Sequence, residues 1–324
     1  MEAMQEPATP ISGSLTKILV IKLGALGDIF LATEAFQSIR THHPQARIVL
    51  LTRPAFMELA RTMPWFDEVW PDPSPKMWQV AACWNLARRF RAGGFERVYD
   101  LQGNDRAAFY RRLGGWSVAS QWVYAALTEK KVAQAGLAPM PVAQRHRQML
   151  AAAGVPSAGP ADLSWLDGPT AGFRLPERFV LLVPGSAPKH LHKRWPAAGY
   201  AALARALATK GLGSVVVGTK AENETVAEIC AAAPSAMNLC GQTTIPQIGA
   251  LARLAAGVVG NDTGPIHITA AVGAPTLVLM SGRSDPVRML PHGPEVAYLQ
   301  EADLRDLSPQ KVEQALRLRS TAVG

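Results

Sequence analysis

Short unbroken apolar runs alternate along this chain with stretches whose apolar residues recur at helical spacing. Ile18 to Leu23 reads as a buried strand, and Ile29-Phe30-Leu31-Ala32 with Ala35, Phe36 and Ile39 reads as the helix after it. The pattern predicts strands at 17–23, 47–52, 67–70 and 97–100, then a Pro/Gly/Ala-rich stretch from Ala151 to Pro176. Beyond it the pattern starts again, with strands at 179–183, 213–218, 236–239, 257–260 and 275–280 and a helix from Ala197 to Ala208. Continuous apolar strands separated by helices predict an α/β chain with two parallel-sheet units.

Open parallel sheets bind ligands at the carboxyl ends of their strands, so the turns there come next. The most informative is Gly260-Asn261-Asp262-Thr263-Gly264-Pro265-Ile266-His267, where a buried strand gives way to a helix. Helix-start N–H groups and the helix dipole favour an anion at such a junction, with glycine letting a phosphate approach the main chain. The plainer alternative is that Asp262 or Thr263 only caps the helix while His267 packs beside it. Near the amino end, Lys22-Leu23-Gly24-Ala25-Leu26-Gly27-Asp28 makes a similar turn, and Asp28 is either the cap of the first helix or a carboxylate aimed into a cleft. The third glycine of a dinucleotide fingerprint and its ribose-binding acid are both missing, which argues against nicotinamide binding. Val183-Pro184-Gly185-Ser186 leads to Lys193-Arg194-Trp195-Pro196, where Pro196 suits the first turn of a helix. The two cations there either help the dipole hold an anion or are a solvated loop. Glu222, after Val217-Gly218-Thr219, either accepts from ribose hydroxyls or simply favours the helix start.

With 324 residues, 48% of them hydrophobic, the chain can fill two cores and suits a soluble enzyme. No apolar run reaches the roughly 18 residues needed to cross a bilayer, and residues 1–16 read as a loose tail without the apolar core of an export signal. The three cysteines, Cys83, Cys230 and Cys240, form no Cys-X-X-Cys pair, which points to a reducing cytoplasm. Zinc-ligand spacing is absent too.

The formal charge is +8, with arginine dense at positions 88, 89, 91, 97, 106, 111 and 112. Such a field attracts an anionic acceptor or a phospholipid surface, the plainer reading being a solvated helix face for Arg88, Arg89 and Arg91. Trp78 and Trp84 nearby are expected to be packed inside, with contact at a membrane interface as the alternative. No nucleic-acid-binding module is recognisable, and nucleic acid is not expected as a partner.

Taken in order, Lys22-Leu23-Gly24-Ala25-Leu26-Gly27-Asp28, Asp100-Leu101-Gln102-Gly103, Pro184-Gly185-Ser186 with Lys193-Arg194-Trp195-Pro196, and Asp262 to His267 with Gly282-Arg283-Ser284-Asp285-Pro286 resemble glycosyltransferase family 9. That family includes the ADP-heptose:lipopolysaccharide heptosyltransferases, and the likeness runs over residues 17 to 320. It implies a GT-B architecture: an acceptor-binding Rossmann-like domain over 17–165, a sugar-nucleotide-binding one over 175–307, and a helix over 308–320 crossing back to the first domain.

The implied chemistry is an inverting, metal-independent transfer of a sugar from an ADP-heptose-like donor to a lipopolysaccharide core or related surface glycan. It would take place in the cytoplasm, at the inner face of the inner membrane. In it Asp28 takes the proton of the attacking hydroxyl. Lys193, the hydroxyls of Ser186 and Thr263 and the N–H groups around Gly264 steady the departing diphosphate, Pro265 offering none. Glu222 accepts from ribose, while Asp262 and His267 hold the donor sugar or order its loop. These groups can replace a metal, and the chain has no Asp-X-Asp cluster to bind one. His190, His192 and Arg283 depart from the family pattern and bear on donor choice. Two alternatives stay open: another sugar-nucleotide enzyme of this architecture, such as an epimerase or a uridine-nucleotide transferase, and a non-catalytic nucleotide-sugar-binding module.

Overall fold

A computed structural model describes residues 16–114, 121–124 and 139–320. The amino-terminal lobe carries strands β1 (Lys17–Ile21), β2 (Arg47–Thr52), β3 (Glu68–Pro71), β4 (Arg97–Asp100) and β5 (Gln121–Tyr124). They form a five-stranded sheet in the order β3-β2-β1-β4-β5, parallel throughout. Its helices include α1 (Leu26–Phe30), α2 (Thr33–His42), α3 (Met57–Thr62), α4 (Val80–Gly93), α5 (Asp105–Gly114) and α6 (Val142–Ala152).

The carboxyl-terminal lobe contains β6 (Phe179–Val183), β7 (Gly213–Val216), β8 (Ala236–Asn238), β9 (Gly257–Asn261), β10 (Thr276–Ser281) and β11 (Val296–Glu301). Their order, β11-β10-β9-β6-β7-β8, is again parallel throughout. Around this sheet lie α7 (Ala197–Thr209), α8 (Asn223–Ala232), α9 (Ile245–Leu254), α10 (Gly264–Ala271), α11 (Pro286–Met289) and α12 (Pro309–Ala315).

The central strands β1, β6 and β10 are sheathed on both faces, so their residues are almost all buried, as an uninterrupted apolar run requires. Each sheet reverses its strand order once, between β1 and β4 and between β6 and β9. A crevice opens beyond the strand ends at such a reversal. The turns carrying Asp28, Gln102, Ser186 and Asp262 follow the four strands that flank these two crevices.

The lobes are joined by more than the chain between them. Leu163 and Leu166 of the connecting segment pack with Ile248 and Ile268 in the core of the first lobe. Arg253 Nη1 and Nη2 donate to the carbonyls of Leu166 and Leu163, both at 2.6 Å, and Gln37 Nε2 donates to that of Pro160 at 3.0 Å.

Two expectations need correction. Helix α12 ends at Ala315 and packs on α7 of its own lobe, with Lys210 Nζ 2.6 Å from Glu313 Oε1, instead of crossing to the first lobe. The chain beyond it is pinned there because the Arg319 N–H donates to Ala256 O at 2.7 Å and Arg319 Nη2 to Gly273 O at 3.0 Å. Trp78 and Trp84 do not pack inside, being 74% and 55% exposed. On α4 the buried stripe is Cys83, Leu86, Ala87 and Phe90, and Trp84 lies off it.

Candidate active site

The turn after β1 places Asp28 in the first turn of α1, where one carboxylate oxygen accepts the Ala25 N–H at 3.1 Å. Asp28 thus closes the helix start from its third position, Ala25 holding the cap position, yet it stays only partly buried and close to His267 of the opposite lobe. Gly27 lies against the same imidazole: a Cβ there would fall 2.7 Å from His267 Cδ2.

Across the gap, β9 ends in Asn261 and α10 begins at Gly264. Asn261 is fully buried and spends its amide on neighbours. Its Oδ1 accepts the Trp195 N–H and the Tyr200 hydroxyl, both at 3.0 Å, and its Nδ2 donates to Pro184 O at 2.6 Å. One side chain thus ties the 184–186 turn, the start of α7 and the 261–264 turn together. Sequence reasoning missed it, since an Asn beside Asp262 looks like an ordinary turn residue.

Lys193 and Asp262, far apart in sequence, meet here. Lys193 Nζ donates to Asp262 Oδ2 at 2.6 Å, and Ser284 Oγ donates to the same oxygen at 2.9 Å. Asp262 is nearly sealed while Lys193 keeps some exposure, so the ammonium stays available on the cleft side. His267 is buried and its Nδ1 has no partner. Burial holds its imidazole down at about 4, against the opposing pull of the Asp262 and Asp28 charges, with Lys193 adding to the lowering. The ring is therefore neutral near pH 7.

Thr263 occupies the residue before α10 in extended conformation, and its hydroxyl makes no capping bond, so it does not cap the helix. It lines the cleft together with Pro265. Gly264 has a packing reason as well: a Cβ there would lie 2.8 Å from Leu26 Cβ, so the missing side chain admits the opposite lobe.

Ser186 and Glu222 are committed within the protein. Ser186 Oγ donates to His190 O at 3.0 Å and accepts from Arg194 Nε at 3.1 Å. Glu222 Oε2 accepts the Thr219 N–H at 2.8 Å and its hydroxyl at 2.6 Å, the helix-start alternative, while Oε1 lies 3.8 Å from Arg194 Nη2. Arg194 is thus spent on the loop and differs from Lys193.

Between these groups lies a cleft of about 510 Å³, lined by Gly185, Ser186, Gly218, Thr219, Glu222 and Thr263 among others, with Leu26 on the far wall. It has a size fit for a small ligand. Its walls are strand-end turns of the carboxyl-terminal lobe and, through Leu26, helix α1 of the other.

In the amino-terminal lobe, Gln102 Oε1 accepts the Leu23 N–H at 2.7 Å and Lys22 Nζ donates to Leu101 O at 3.1 Å. The turns after β1 and β4 are so locked together. Asp100 beside them accepts the N–H groups of Gln102 and Gly103, yet its burial outweighs these and raises its carboxyl above the usual range.

Two parallel-sheet α/β lobes facing each other across a cleft make up a GT-B fold. The family model for glycosyltransferase family 9 (heptosyltransferase) matches residues 83–316, and the chain belongs to that family. It is 27% identical over 296 residues to lipopolysaccharide heptosyltransferase 2 of Salmonella typhimurium, covering 83% of this chain and 84% of that protein. Among solved structures it resembles E. coli ADP-heptose lipopolysaccharide heptosyltransferase II (TM-score 0.70, 22% identity, 93% and 97% of the two chains). It also resembles E. coli heptosyltransferase WaaC solved with ADP (TM-score 0.72, 18% identity, 92% and 98% of the chains).

Proposed function

We propose that this glycosyltransferase moves a heptose from an ADP-linked donor onto a hydroxyl of a lipopolysaccharide core, inverting the anomeric centre. The carrying observation is the meeting of Asp28 from one lobe with His267 and the Lys193–Asp262 pair from the other. A sugar hydroxyl is a poor nucleophile at neutral pH, and a partly exposed carboxylate beside the gap accepts its proton as the bond to the anomeric carbon forms. The nucleoside diphosphate leaves from the opposite face. Lys193, the free hydroxyl of Thr263 and the N–H groups opening α10 meet its growing charge, which is why no metal is expected to be needed.

The adenosine end occupies the cleft beside Gly218 and Glu222, whose Oε1 faces a ribose hydroxyl while Oε2 stays on Thr219. Ser186 contributes through the turn it orders, and Asp262 and His267 fix the loop that holds the donor sugar. Choice of heptose and adenine rests on the relatives named above, one solved with ADP and one a heptosyltransferase at 27% identity.

Asp28→Asn tests the reading. It should cut transfer by about 10² to 10⁴-fold with little change in donor affinity, followed by mass spectrometry of product. Full activity in that variant would remove the base assignment. Product from uridine-linked sugars and none from adenosine-linked ones would remove the donor assignment.

A further inference from the structure

The amino-terminal lobe bears an apolar patch that the transfer chemistry does not use. Residues 76–81 are exposed in unbroken succession, with Met77 at 77%, Trp78 at 74% and Val80 at 74%. Trp84 joins them one helical turn after Val80 on α4. Each tryptophan carries a cation: Lys76 Nζ stands 5.0 Å from the centroid of the Trp78 ring, and the Arg88 guanidinium 5.0 Å from that of Trp84. Residues 73–95 hold Lys76, Arg88, Arg89 and Arg91 and no Asp or Glu.

The patch is firmly mounted. The segment leaves the carboxyl end of β3, and the Asp72 carboxylate accepts the Tyr110 hydroxyl of α5, while the Arg106 guanidinium donates to Pro75 O. Because the sheet is parallel throughout, the carboxyl end of β3 is on the same rim as the turn that carries Asp28.

From this arrangement we infer that Met77, Trp78, Val80 and Trp84, with Lys76 and Arg88, dock the acceptor lobe onto the surface of an anionic lipid bilayer. Indole rings favour the headgroup level, where one edge is apolar and the other wet. Paired cations at their faces meet lipid phosphates instead of solvent, and the net charge of +8 adds long-range attraction of the same sign. A protein-protein hot spot would also use tryptophan, but a run of cations without one acid fits a uniformly negative surface better than a mixed-charge partner. Docked this way, the rim bearing Asp28 stays next to the bilayer. The docking does not depend on which sugar is transferred, so its failure would leave the transferase reading standing.

The test is co-sedimentation of the full chain with vesicles of phosphatidylglycerol and phosphatidylethanolamine against vesicles of phosphatidylcholine alone, with tryptophan fluorescence in parallel. Binding should favour the anionic vesicles, with a blue shift, and should weaken as salt rises from about 0.1 M to about 0.5 M. Trp78→Ser with Trp84→Ser, and separately Lys76→Glu with Arg88→Glu, should each weaken binding about tenfold or more. Transfer to a delipidated, freely dissolved acceptor should be unchanged in both. The inference is overturned by no binding to anionic vesicles, by equal binding to neutral ones, or by double variants that bind like the parent. It is also overturned if the chain self-associates in solution and the tryptophan variant abolishes this, which would assign the patch to a second copy.

Discussion

His267 and Gly27 touch across the seam between the lobes: a Cβ on Gly27 would fall 2.7 Å from Cδ2 and 2.9 Å from Nε2 of the imidazole. The contact is reciprocal, since Gly264 beside His267 receives Leu26 beside Gly27 in the same manner. Helices α1 and α10 therefore approach through two side-chain-free positions. This spacing sets how far Asp28 stands from the Lys193–Asp262 pair of the other lobe. Gly27→Ala pushes a methyl into a buried ring that has nowhere to move. A displacement of about 1 Å in a reacting group costs on the order of 10²-fold. Turnover should fall by about that factor while donor affinity changes little, because the cleft beside Glu222 is built by other turns. Steady-state kinetics with a titration of ADP check it, and unchanged turnover would show that the seam does not set the catalytic distance.

The Lys193–Asp262 pair makes a sharper demand. Asp262 is buried and its Oδ2 accepts from Lys193 Nζ and the Ser284 hydroxyl, so Lys193→Met leaves a sealed charge short of its counterion. The expected loss is about 3 kcal/mol of stability, with part of it recovered when Asp262→Asn is added. Urea melts of the two single variants and the double variant give the coupling. In the proposed reaction Lys193 also meets the leaving diphosphate, so its removal should reduce turnover by about 10² to 10³-fold even in the double variant. Recovery of both stability and turnover together would make Lys193 a structural counterion and nothing more.

The turns carrying Asp28, Ser186 and Asp262 were legible in the sequence because each follows a short buried strand, and such strands announce both themselves and the turn after them. Of the four edge strands, β3 and β8 were legible too, but β5 and β11 were not. β5 and β11 are half exposed along their length, so Gln121-Trp122-Val123-Tyr124 and Val296 to Glu301 lack an unbroken apolar run. The packing of Leu26 against Gly264 was not legible, since no local pattern tells that a missing side chain makes room for a helix from the other lobe. The exposure of Trp78 and Trp84 was misjudged because a tryptophan's volume argues for burial by itself. Only the phase of α4, fixed by Leu86 and Phe90, turns Trp84 off the buried stripe.

His267 also carries a pH dependence. Its ordinary value of 6.5 falls to about 4 in the folded chain, so between those limits the unfolded chain binds a proton that the folded one refuses. Stability contributed by the neutral ring is complete above about pH 6.5 and drains away as pH drops toward 4, by on the order of 3 kcal/mol. His43, lowered to about 4, and His146, lowered well below its usual value, act in the same direction, both mainly through burial. Thermal melts at stepped pH should therefore slope downward on the acid side, and His267→Gln should flatten that slope without removing it, because the other two remain. The ring faces Asp28, Asp262 and Lys193. Activity above pH 6.5 should accordingly show no titration belonging to His267, and a limb near 6.5 that disappears in His267→Gln would mean that the imidazole is far less sealed than its contacts with Gly27 require.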